Sequence, residues 1–103
     1  MDKIAALSAI LEANPVDAFA RYGLAMAFAA DGNADRALAE YSRIIEDTPD
    51  YVPAYQMSAQ LLLKLGRTED AQERLRDGVK TASRIGNTHA VSEMQALLDE
   101  VTS

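Results

Sequence analysis

His89 is the one imidazole in the chain, and the side chains able to share its work are two sets of carboxylates, Glu46, Asp47 and Asp50, and Glu69, Asp70 and Glu73. A histidine acts as a general base only when a nucleophile and an orienting acid stand within hydrogen-bond reach. No such arrangement can be assembled around His89, whose place near a helix start predicts an exposed side chain. The first set of acids falls at a helix end and the second at a helix start, where negative charge meets the helix dipole favourably, so both are expected to cap or to face solvent. There is no cysteine, which excludes disulfides, thiolate metal sites and a thiol nucleophile. Calcium-loop spacing, a phosphate-cradling glycine loop and a paired-histidine metal motif are all missing from the sequence. Hence the chain is expected to be no enzyme and to use no cofactor and no metal.

Charge and hydropathy narrow the partners. The formal charge of −6 argues against nucleic acid, whose backbone calls for a lysine and arginine surplus. No window approaches the roughly 20 apolar residues that span a bilayer. The opening "MDKIAALSAILEANP" has helix-spaced apolar residues broken by Ser8 and Glu12, unlike a basic segment followed by an unbroken apolar block. A soluble, cytoplasmic protein is expected. The charge is uneven: residues 1–50 hold nine acids and four bases, 51–84 four acids and six bases, and 85–103 three acids and no base. Arg67, Arg74, Arg76, Lys80 and Arg84 therefore make a locally basic helix between acidic flanks. It is either a docking face for an acidic partner or a solvent-facing helix laced with pairs such as Asp70 with Arg74 and Asp77 with Lys80.

What positions these side chains is a run of helices. Apolar residues recur at intervals of three and four along the whole chain, with no sustained alternation of the kind a half-buried strand shows. The spacing predicts six helices, near 2–13, 16–30, 34–47, 51–65, 68–85 and 88–101. Ile4, Leu7, Ile10 and Leu11 share one face of the first, which Asn14 and Pro15 end. Gly32 stops the second. Asp50 is the expected cap of the fourth, and Pro53 is tolerated in its first turn. Gly86 and Asn87 separate the fifth from the sixth, on which Val91, Met94, Leu97, Leu98 and Val101 align.

The stretch "ADGNADRALAEY" at 30–41 returns 34 residues later as "KLGRTEDAQERL". At that shift Ala25 meets Ala59, Phe28 meets Leu62, Gly32 meets Gly66, Ala37 meets Ala71 and Tyr41 meets Leu75. Alanines on both helices permit close approach, the bulky residues fill the space between layers, and the glycine reverses the chain. This pattern resembles the tetratricopeptide repeat family, whose 34-residue unit is a helical hairpin with small residues, a turn glycine and a terminal proline in this order. The resemblance spans about residues 3–85. Residues 18–51 form one unit ending on Pro49 and 52–85 a second. The opening helix resembles the latter half of a preceding unit, and residues 88–102 a C-terminal capping helix. Three departures stand out: Arg21 where a large aromatic is usual, Ser83 where the second unit would have its proline, and Gly78 inside a helix at about 1 kcal/mol of lost propensity. The last marks either a close helix contact or a mild bend.

The resemblance implies an all-α, right-handed stack of antiparallel helical hairpins that acts as a protein-interaction module. In the family the first helix of each hairpin lines a concave groove, which carries over here to Phe19, Tyr22 and Met26 in the first unit and to Gln56, Gln60 and Leu63 in the second. A peptide or protein segment could lie across them, glutamine serving a peptide backbone as donor or acceptor. The alternative is that Phe19 and Tyr22 pack against the first helix and the cap. Some family members hold a terminal carboxylate with lysine, arginine and asparagine. Tyr22, Met26 and Met57 stand in three of those slots, so that clamp is not expected. Three anchors at about 1.5–3 kcal/mol each against an association cost of about 4–15 kcal/mol imply weak binding of a single peptide. Strong binding would need a larger partner surface or self-association. A structural homo-oligomer, such as a homodimer that buries the groove or a stack end, is the second reading.

Overall fold

The computed structural model describes residues 2–102, which form six α-helices and, among the described residues, no strand. They are α1 (Lys3–Ala13), α2 (Ala18–Ala30), α3 (Ala34–Asp47), α4 (Val52–Lys64), α5 (Thr68–Arg84) and α6 (Thr88–Thr102). The chain divides into two compact units, one ending at Thr48 and the other beginning at Pro49.

In the first unit α2 packs on both α1 and α3. Asp17 sets where α2 starts: its carboxylate accepts the Ala20 amide at 3.0 Å, which keeps Val16 outside the helix, two residues later than apolar spacing alone suggests. Ala25 and Ala37 are wholly buried, and Tyr41 and Ile44 are nearly so. Gly23 faces α1, where a Cβ would make ordinary contact with Leu7 Cδ1 at 3.4 Å. Arg21, standing where an aromatic was expected, ties α2 to α3 through a 2.5 Å ion pair with Glu40 and donates to the Pro15 carbonyl at 2.8 Å. The expected apolar face of α1 is only partly covered. Leu11 is buried, Ile4 and Leu7 are half-buried, and Ile10 is 46% exposed.

In the second unit α5 packs on α4 and on α6. Gly78 is the point of closest approach: a Cβ built on it would meet Met94 Sδ of α6 at 2.6 Å and Tyr55 Cβ of α4 at 2.9 Å. The glycine therefore marks a tight contact of helices. Ser58 is fully buried on α4, where its hydroxyl donates to the Ala54 carbonyl at 2.5 Å and accepts from Arg74 Nη1 at 3.0 Å. Arg74 thus serves Ser58, while Asp70 pairs with Arg67 at 2.8 Å instead of with Arg74 as expected. Asp50 likewise does not cap α4. Tyr51 occupies the cap position and its side chain does not cap the helix, and Asp50 pairs with Arg84. That contact spans 34 residues of sequence, beyond the reach of local capping rules.

One turn recurs in both units. Gly32, Gly66 and Gly86 take φ values of 79°, 77° and 78°, the left-handed region that glycine enters without a Cβ penalty. The next amide reaches back five residues in each case, Asn33 to Phe28, Arg67 to Leu62 and Asn87 to Ala82, at 2.8 to 2.9 Å, which closes a Schellman motif. Asn33 and Asn87 then cap the following helix through Arg36 and Ala90. Arg67 makes no such cap.

Candidate functional site

The residues expected to bind do not stand alike. Phe19 is 78% exposed, Met26 is 42% exposed, and Tyr22 is half-buried. Because 19, 22 and 26 follow one another at intervals of three and four, α2 presents them on one face. All three line one open apolar cleft of about 400 Å³ in the first unit, together with Leu7 and Ile10 of α1. Lys3 and Asp17 are also part of its wall. Gln56, Gln60 and Leu63 lie on α4 of the second unit, the first and last half-buried and Gln60 exposed.

The cleft has apolar walls and a weakly polar rim. The Tyr22 ring stands 6.1 Å from that of Tyr41, tilted by 60°, inside the range in which aromatic pairs attract. Burial raises the pKa of Tyr22 above the ordinary tyrosine value. It pushes Tyr41 up to about 12, with the neighbouring Tyr22 adding to the effect. Both hydroxyls are therefore neutral at physiological pH and act as hydrogen-bonding groups, not as charges. Phe19 is no core residue, since it is 78% exposed beside the exposed Met26. Val16, 67% exposed, adds to the apolar surface just before α2.

The sequence places Leu7 and Ile10 on one apolar face of α1 and does not assign them to the binding residues. The sequence carries no signal for this, because at a shift of 34 Ile10 falls on the equally apolar Ile44, and only the structure shows Ile10 46% and Ile44 1% exposed. A residue exposed where its counterpart is sealed is a sign of unmet apolar surface.

The groups able to do chemistry are dispersed. His89 is exposed and lies 3.3 Å from Glu93 Oε1, one turn along its own helix. Among the described residues no group of three or more histidine or acidic side chains could hold a metal ion. Asp47 pairs with Arg43 along α3, and Asp50 with Arg84. Among the described residues no helix is long and apolar enough to cross a membrane. The basic helix is partly consumed by its own unit, since Arg67, Arg74 and Arg84 all have partners there.

Helical hairpins closed by a left-handed glycine, with alanines at the crossings, define a helical-repeat protein. The profile of the tetratricopeptide repeat family matches residues 4–59 and 28–98, and the chain belongs to that family. It is 35% identical to a tetratricopeptide repeat domain protein from Salinibacter ruber whose solution structure is known, over 85% of this chain and 89% of that one, with a TM-score of 0.81. The TPR2B domain of yeast Sti1, solved in a complex with pHsp70, gives a TM-score of 0.87 at 22% identity, covering 96% of this chain and 79% of that one. PcrH, solved in complex with the chaperone-binding region of PopD, gives 0.88 at 20% identity over 96% and 75%. At such identities the last two establish the fold alone. No curated protein matches the sequence.

Proposed function

We propose that the chain is a non-catalytic, cytoplasmic interaction module, a scaffold or adaptor that holds a segment of another protein on the apolar face of α2. The observation that carries this reading is the cleft in which Phe19, Tyr22 and Met26 stand together with Leu7 and Ile10, open to solvent. Structural relatives solved in complex with pHsp70 and with a region of PopD support it. Gln56, Gln60 and Leu63 on α4 of the second unit are further candidate contacts, where amide groups can pair with a bound backbone. Its mechanism is reversible burial of apolar surface, with no bond made or broken. Affinity capture from a lysate of the native organism tests the reading. The wild-type chain retains a specific protein that Tyr22→Ala/Met26→Ala loses. Retention of every band by the double variant moves the site away from this face. Sedimentation across a concentration series tests the alternative of self-assembly, which a strict monomer excludes.

A further inference from the structure

The two units contain an internal comparison. At a shift of 68 residues α1 falls on α5 and α2 falls on α6. Leu7 and Ile10 correspond to Leu75 and Gly78, and Tyr22 and Met26 to Ala90 and Met94. In the second unit these positions are sealed: Leu75 and Met94 are 0% exposed and Ala90 is 6% exposed. The seal has two sources at Gly78, Met94 of α6 on one side and Tyr55 of α4 on the other. In the first unit Ile10 and Met26 are 46% and 42% exposed while Leu7 and Tyr22 are half-buried, and the space beside them is the 400 Å³ cleft. In the repeat register α1 and α2 hold the places of α5 and α6, and the counterpart of α4, which covers α5 at Gly78 through Tyr55, is not among the helices packed on α1.

We infer that this cleft is a seat for an amphipathic, alanine-rich helix of a partner protein, which takes beside α1 and α2 the place that α4 takes beside α5 and α6. The inference rests on the proposed interaction function and narrows its ligand from any protein segment to a helix. Three observations favour a helix. First, the surface to be covered is laid out by two helices at three- and four-residue spacing, which a third helix matches ridge into groove. Second, the corresponding surface within this same chain is covered by a helix with wholly buried alanines, Ala54 and Ala59. Third, a helix running antiparallel to α1, as α4 does to α5, would end near Lys3, a cation suited to the carbonyl-rich end of a helix. Asp17, also on the cleft wall, is engaged in capping α2. Asp2, near Lys3, is engaged in capping α1.

The chain's own α2 is the best-matched probe. It packs on α3, where Tyr41 and Ile44 hold the places that Leu7 and Ile10 hold in α1 at a shift of 34. A second copy of residues 16–34 placed directly before residue 1 puts an added helix in register with α1. This fusion is expected to raise the unfolding midpoint by roughly 4–8 °C, a gain that Ile10→Glu abolishes. In parallel, a labelled peptide of residues 16–33 is titrated into the unfused chain and followed by anisotropy. It binds and gains helicity on binding, Ile10→Glu weakens it at least tenfold, and the fused chain does not bind it. A folded fusion with an unchanged midpoint overturns the inference, as does a peptide that fails to bind or binds Ile10→Glu equally. Should the fusion fail to fold, the peptide titration decides alone. If both arms fail while Tyr22→Ala/Met26→Ala still loses a captured protein, the interaction function stands and the helical ligand falls.

Discussion

Gly78 of α5 approaches Met94 of α6 so closely that a Cβ on the glycine would stand 2.6 Å from the methionine sulfur. The Met94 side chain could retreat, but Tyr55 Cβ at 2.9 Å on the other side is fixed to its backbone. Helix propensity alone favours alanine here by about 1 kcal/mol. Overpacking a sealed contact costs about 1–3 kcal/mol, and with a backbone-anchored neighbour the steric effect wins. Gly78→Ala is expected to lower stability by about 1–2 kcal/mol in urea unfolding. A stabilised variant would show that α4 and α6 can part freely.

Position 67 lacks a cap that its counterparts have. Asn33 and Asn87 each accept an amide of the helix that follows, whereas Arg67 only makes an exposed pair with Asp70. An exposed pair contributes little, and an asparagine cap contributes about 0.5–2 kcal/mol. Arg67→Asn should therefore stabilise the protein by about 1 kcal/mol, read as a higher urea midpoint at unchanged slope.

Arg21 and Glu40 form the least exposed ion pair among those described, their side chains 14% and 17% accessible. Removing one partner leaves the other poorly solvated. Glu40→Ala is expected to cost about 1–3 kcal/mol. Arg21→Met/Glu40→Leu should recover most of that loss in a double-mutant comparison.

Tyr41 makes the protein sensitive to alkali. Its folded pKa of about 12 lies above the unfolded value near 10. The unfolded chain therefore ionises first, and stability present below pH 10 is lost as pH rises toward 12. Two units correspond to roughly 2–3 kcal/mol. Tyr41→Phe should flatten the fall in unfolding free energy between pH 10 and 12.

The helices were legible because their signals are local. Apolar spacing located all six, and the glycines at 32, 66 and 86 marked their turns. Errors gathered where a side chain acts at a distance. Asp50 follows the rule for a cap, yet Arg84, 34 positions away, claims it. Arg74 has an acid four residues before it, yet it turns to the buried Ser58 across the helix pair. The α2 residues of the cleft, Phe19, Tyr22 and Met26, were named through the family resemblance, whose groove positions carry over to one face of α2. The α1 half was hidden because an apolar stripe looks the same whether or not another element covers it. Only the burial of Ile44 and the exposure of Ile10, two equivalent places in the repeat, tell them apart.

The account turns on whether a bound protein covers the α2 face of the first unit. Oxidative footprinting of the chain with and without its captured partner measures this at single side chains. Met26 and Phe19, exposed in the free chain, should become several-fold less reactive in the complex, while buried Met94 stays unreactive in both. Equal labelling of Met26 and Phe19 in the free and bound chain would contradict the account.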